Sequence, residues 1–104
     1  MKSSEGLDTF VKGARGAIFG WDHPDINSDR IESTQTISGT GALNILSEFL
    51  FKYSNRPVYI SNPGQDNLKR IFENRGLKVK EYRYFDKNKK CIDIDGMLED
   101  LKNA

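Results

Sequence analysis

Apolar residues recur along the chain at two periods, and the changes of period divide it into segments. Over residues 5–19, Leu7, Phe10, Val11, Ala14, Ile18 and Phe19 share one helical face, with Ser4 placed to cap the helix and Gly20 to stop it. Gly13 and Gly16 each lower helicity by roughly 1 kcal/mol relative to Ala, so this helix needs a surface to pack on. Residues 21–30 read as a polar loop broken by Pro24. The organising stretch is Ile31–Tyr53: β-branched Ile31, Thr34, Thr36 and Ile37 predict a strand, Ser38-Gly39-Thr40-Gly41 a turn, and Leu43, Leu46, Phe49, Leu50 and Tyr53 the inner face of a helix over 41–53.

Ser54-Asn55-Arg56-Pro57 then reads as a connector and Val58-Tyr59-Ile60 as a short strand buried on both faces. Short joints predict a right-handed parallel crossover between this strand and 31–37. Asn62-Pro63-Gly64 makes a turn at its carboxyl end, where open parallel sheets carry ligands. Residues 65–75 predict a helix with Leu68, Ile71 and Phe72 inward and Gly76 as its stop. A third strand runs from Leu77 to Phe85, a charged loop from Asp86 to Lys90, and a last short helix carries Met97, Leu98 and Leu101 under an Asp95 cap. The fold class that follows is α/β, a three-layer-type βαβ segment with short parallel strands.

The turn at Ser38–Gly41 is the first candidate for chemistry. Where small residues open a helix, unpaired amides and the positive end of the macrodipole face outward with two hydroxyls, a seat for an anion such as phosphate. Two glycines match neither a dinucleotide fingerprint nor a P-loop, and Ser38 or Thr40 as a plain helix cap explains the turn equally well.

Composition narrows the classes. A chain of 104 residues makes at most one small domain, burying roughly 60–70% of its unfolded surface. A net charge of +1 argues against a dedicated nucleic-acid or acidic partner, and the cluster Lys78, Lys80, Arg83, Lys87, Lys89, Lys90 beside Tyr82, Tyr84 and Phe85 reads as a solvated edge strand and loop. The one cysteine, Cys91, forms no internal disulfide and reads as a small apolar side chain; with no presequence or membrane span recognisable, a reducing, soluble, cytoplasmic setting is expected. Asp25, Asn27 and Asp29 imitate a calcium loop, but Arg30 holds its glycine position and Thr36 its glutamate position, leaving caps and turns as the explanation. A lone His23, read as a loop residue, and a lone Cys91 make neither a soft-metal site nor a nucleophile pair.

The run Thr34-Gln35-Thr36-Ile37-Ser38-Gly39-Thr40-Gly41-Ala42-Leu43 resembles the cofactor-phosphate loop of the aspartate aminotransferases, pyridoxal-phosphate enzymes of fold type I. The similarity continues through Glu5-Gly6-Leu7, Phe19-Gly20, Glu48-Phe49-Leu50, Val58–Pro63, Glu81–Asp86 and Asp95–Leu101, in order and at the expected spacing. It implies that residues 1–104 are part of the large, cofactor-binding domain, and that Ser38, Gly39 and Thr40 hold the phosphate of pyridoxal 5'-phosphate. It places the family's ring-stacking tryptophan at Gln65 and its Thr-Trp pair at Gly64-Gln65; Asn67 matches a family asparagine and Leu68 replaces a histidine. An amide lacks the broad π face that stacking uses, so weaker cofactor retention is implied.

In the family, the Schiff-base lysine, the aspartate on the pyridinium nitrogen and the arginines that clamp substrate lie beyond the segment matched here. None of the ten lysines stands in the family's Ser-x-x-Lys setting. The resemblance therefore implies a fragment or truncated form of an enzyme that transfers an amino group between L-aspartate and 2-oxoglutarate, inactive by itself, with no catalytic residue of its own. Two alternatives stay open: a non-catalytic interaction module pairing with a full-length subunit, and a phosphate- or nucleotide-binding half-domain. Apolar faces on all three longer helices, with three short strands to cover them, predict an exposed patch that drives self-association or demands a partner chain.

Overall fold

In a computed structural model of the chain, residues 4–54 and 56–104 are described; the amino-terminal Met1–Ser3 and connector residue Asn55 lie outside them. The chain forms two compact units, residues 1–42 and 43–104.

In the first unit, helix α1 spans Asp8–Phe19 and is followed by Gly20 at φ 92°. It starts at Asp8 rather than at residue 5 because Gly6 adopts φ 114°, outside helical space. Ser4 is not its cap, since its hydroxyl donates to the adjacent Glu5 carboxylate and Leu7 takes the N-cap position. Of the expected inner face, Leu7, Phe10, Ile18 and Phe19 are exposed. The buried residue is Gly16, against which the Trp21 indole lies so closely that an added Cβ would sit 2.5 Å from Cε3 of that ring. The expected loop at 21–30 contains a helical turn, α2, at Pro24–Asn27. Proline at its start loses no hydrogen bond, and His23 Nδ1 caps it by accepting the Asp25 amide at 3.2 Å.

Residues 31–36 are not a strand. Their polar groups turn instead to the chain ahead of α1: the Gln35 amide and Thr34 Oγ1 both donate to the Glu5 carbonyl, at 2.7 and 3.2 Å, while Gln35 Oε1 accepts the Leu7 amide at 2.9 Å. Arg15 adds a 2.8 Å bond to the Ile31 carbonyl.

Helix α3 spans Ser38–Tyr53, so its first turn is the Ser-Gly-Thr-Gly motif itself rather than a segment after it. In the second unit its inner stripe is Leu43, Ser47 and Leu50; Ser47 is fully buried, its hydroxyl bonded to the Asn44 carbonyl at 2.8 Å. Leu46, Phe49 and Tyr53, expected inward, are exposed. Strand β1, Val58–Asn62, pairs in parallel with β2, Val79–Arg83, from Val58↔Val79 to Asn62↔Arg83. Helix α4, Asp66–Asn74, is their crossover, so the strand-helix-strand unit is β1-α4-β2 and not the pairing of 31–37 with β1. The core is Ile60, Phe72 and Leu77, with Leu43, Leu50, Val58, Leu68 and Val79 packed against it.

The expected strand 77–85 breaks at Tyr84, whose amide donates to the Asn62 carbonyl and whose carbonyl accepts the Asp93 amide. Beyond it, β3 at Phe85–Asp86 pairs antiparallel with β4 at Cys91–Ile92, and Cys91 is exposed rather than a packed apolar residue. Helix α5 spans Ile94–Lys102. Its cap is Asp93 and not Asp95, because Asp93 Oδ1 reaches the Gly96 amide at 3.0 Å. The whole is mixed helix and strand with short parallel strands.

Candidate functional site

Ser38, Gly39 and Thr40 form the first turn of α3, and all three are exposed. The entry is set by Ser38 at φ 60°, a left-handed conformation costing a non-glycine residue on the order of 1 kcal/mol. Thr36 Oγ1 holds the entry from outside by donating to the Ser38 carbonyl at 3.2 Å. The Gly41 amide donates to the Ile37 carbonyl at 3.2 Å. Among the described residues, none accepts a hydrogen bond from the Ser38 or Gly39 amide. A Cβ added at Gly39 would meet nothing within 4 Å, so the space over the turn is open. Two donor amides, exposed hydroxyls and the positive end of a 16-residue helix fit a phosphate.

Gln65 lies in the second unit, at the N-cap of α4. Its side chain is exposed and makes no capping bond. At Gly64 an added Cβ would run into the Ser61 carbonyl, so this backbone excludes the threonine that the resemblance places there. Leu68 packs on the core instead of presenting an imidazole. Taken each by itself, the Ser38–Thr40 turn suits a phosphate and Gln65 offers no π face to an aromatic ring.

Two polar clusters surround the carboxyl ends of β1 and β2, and the sequence reading missed both. Glu81 accepts from Asn62 Nδ2 at 2.8 Å and from Lys69 Nζ at 3.0 Å; that carboxylate raises the Lys69 pKa, first through the hydrogen bond and then through its charge. Arg83 forks onto Asp100, with Nη2 at 2.7 Å from Oδ1, and reaches Glu99 at 2.5 Å. The guanidinium holds the Asp100 carboxyl down to about 2 and is itself raised, by Asp100 first and Glu99 second. Asp86 is lowered by the Lys89 and Asn88 amides it accepts. Opposite charges spaced on neighbouring elements were the available signal, but sequence spacing does not show which elements meet. Arg83 and Lys89 are thereby tied to carboxylates, and Lys80 lies 5.5 Å over the Tyr59 ring. Among the described residues, no group of three His, Cys, Asp or Glu is arranged for a metal, and no helix is long and apolar enough to cross a membrane.

Comparison with known proteins places this geometry. The family model for aminotransferase class I and II matches residues 3–104. The cytoplasmic aspartate aminotransferase of Oryza sativa is 41% identical over 100 residues, covering 95% of this chain and 25% of that protein. Relatives of equal identity are named for the mitochondrion and the chloroplast. The solved cytoplasmic aspartate aminotransferase of Saccharomyces cerevisiae superposes with a TM-score of 0.92 at 36% identity, covering 99% of this chain and 25% of its own. An aromatic-amino-acid aminotransferase of Burkholderia pseudomallei, solved covalently bound to pyridoxal phosphate, superposes at 0.90 with 31% identity, covering 96% and 25%. The chain spans about a quarter of the length of the curated relatives it matches. Its short parallel strands match a segment of a fold type I aminotransferase. The chain belongs to the class I and II aminotransferase family, and the relatives it resembles include aspartate aminotransferases.

Proposed function

We propose that residues 1–104 form the phosphate-holding part of the large domain of an aspartate aminotransferase, whose complete form moves an amino group between L-aspartate and 2-oxoglutarate in the cytoplasm. The observation that carries this reading is the open turn at Ser38–Thr40, with amides at Ser38 and Gly39 that no described residue accepts from. The cofactor, pyridoxal 5'-phosphate, supplies the electron sink when bound. This chain's part is to bind and orient: the Ser38 and Gly39 amides and the Ser38 and Thr40 hydroxyls hold the phosphate, and Gln65 leaves the ring without a stacking partner. None of the ten lysines stands in the family's Ser-x-x-Lys setting, so residues 1–104 are assigned binding of the cofactor and not imine formation with it.

Titration with pyridoxal phosphate followed by borohydride reduction tests this. Saturable, phosphate-dependent binding without a stoichiometric lysine adduct is the expected result. A single-site, lysine-linked adduct overturns the assignment of binding alone, and failure to bind overturns the phosphate seat. A second reading, a non-catalytic module that pairs with another chain, is favoured by the surface: among the described residues 17 large hydrophobics are exposed, against four hydrophobics that are buried. A nucleotide-binding half-domain would instead show nucleotide binding that free phosphate displaces.

A further inference from the structure

Trp21 is the chain's one indole, and it covers Gly16 of α1 while staying 69% exposed itself. Beside it, α1 and α2 border a cavity of about 250 Å³ lined by Lys12, Arg15, Gly16, Trp21 and Ile26. Its apolar lining is the indole, Ile26 and the bare Gly16 backbone, and its charged lining is two cations. The Arg15 side chain is only 16% exposed; its Nη1 donates to the Ile31 carbonyl at 2.8 Å and stands 3.8 Å from the Glu32 carboxylate. Its Nε and Nη2 donate to none of the described residues. Neither nitrogen is sealed off, since no fully buried side-chain nitrogen or oxygen among the described residues lacks a partner. Lys12 Nζ pairs with Asp8 at 3.0 Å, one turn back on α1, with both side chains mostly exposed.

The geometry points to this cavity as a binding site for a small aromatic carboxylate, its ring against the Trp21 indole and its carboxylate on Arg15 and Lys12. Size sets the first limit: pockets for drug-sized ligands run to about 300–1,000 Å³, so a cavity of about 250 Å³ holds one ring with a short substituent. The indole sets the second, because paired aromatic rings attract beyond the area they bury. Arg15 sets the third. A guanidinium is a planar fork that matches both oxygens of a carboxylate, and two of its nitrogens are free. Lys12 adds a point charge, and its exposed pair with Asp8 is weakly held in water, so it is available to an incoming anion. The neighbouring carboxylates, Asp8 at Lys12 and Glu32 at Arg15 Nη1, are 74% and 78% exposed, so solvent and salt screen their repulsion of that anion. The site lies within the first unit, shares no residue with the Ser38–Thr40 turn, and does not depend on the phosphate reading.

Nuclear magnetic resonance on the nitrogen-15-labelled full chain reads the site directly, because one tryptophan gives one indole N–H resonance. Benzoate is the probe, and it is expected to move that resonance saturably with a Kd of about 1 mM or tighter. Benzamide keeps the ring without the charge, and cyclohexanecarboxylate keeps the charge without the π face; each is expected to bind about fivefold or more weakly. Arg15→Gln is expected to weaken benzoate about tenfold, and Lys12→Gln about threefold, with circular dichroism spectra unchanged. Should Arg15→Gln unfold through loss of its Ile31 bond, Lys12→Gln decides, and unchanged benzoate affinity in that variant overturns the proposal. An indole resonance that does not saturate by about 20 mM benzoate overturns it, as does equal affinity for benzamide or for cyclohexanecarboxylate. Benzoate that moves the Ser38–Thr40 amides and leaves the indole unmoved overturns this site while the phosphate seat stands.

Discussion

Phe72 is the side chain on which the second unit depends most. It is 4% exposed, sits on α4, and closes a cluster with Ile60 of β1 and Leu77 at the entry to β2. Truncation to alanine removes the ring from between the helix and the two strands, and such changes cost about 3–5 kcal/mol because the site collapses only in part. For a unit running from Leu43 to Ala104, about 0.05–0.15 kcal/mol per residue gives a stability on the order of 3–9 kcal/mol. Phe72→Ala therefore removes about a third or more of what holds this unit folded. Phe49→Ala, at a ring 57% exposed, is expected to cost about 0.5 kcal/mol or less in the monomer. The assay is the urea midpoint by far-ultraviolet circular dichroism at low micromolar concentration. A loss below about 1 kcal/mol for Phe72→Ala, or one no larger than that of Phe49→Ala, refutes the assignment of this cluster as the core.

The Arg83–Asp100 pair predicts an acid limb. Asp100 is held near 2 in the fold against about 3.9 unfolded, so its contribution is fully present above pH 4 and is lost as the pH falls from 4 towards 2. Asp100→Asn is expected to flatten urea midpoints across that window, and an unchanged pH profile counts against the pair. Asp93→Ala removes the α5 cap and is expected to cost about 1 kcal/mol, with helix content falling at the carboxyl end. Gln65→Trp restores a π face, and one aromatic contact corresponds to about 2- to 12-fold tighter binding of pyridoxal phosphate. Equal affinity in a spectrophotometric titration argues that residue 65 does not meet the ring.

How much was legible in the sequence follows from which signals were unambiguous. Helix α4 was, because Leu68, Ile71 and Phe72 are its apolar residues and Gly76 marks its end. Helix α3 was legible as a helix but not in orientation: apolar residues surround it, and only the packed structure distinguishes Leu43 and Leu50 from Leu46, Phe49 and Tyr53. The alternation at 31–37 looked like a strand, yet its backbone partners lie at Glu5 and Leu7, too far along the chain for local pattern to reveal. Asp93 and Asp95 were equally good caps by residue type, and the reach of one carboxylate to Gly96 decides between them. For the candidate site, the small-residue helix start was visible in Ser38-Gly39-Thr40, whereas the left-handed entry at Ser38 and its tether to Thr36 belong to backbone geometry.

The most direct test of the phosphate seat is an amide-resolved titration of the nitrogen-15-labelled chain with pyridoxal phosphate, and in parallel with pyridoxal. The account predicts saturable shifts at the Ser38, Gly39 and Thr40 amides with the phosphorylated compound, competed by inorganic phosphate and absent with pyridoxal. Shifts elsewhere with those three amides unmoved, or equal shifts from both compounds, contradict it.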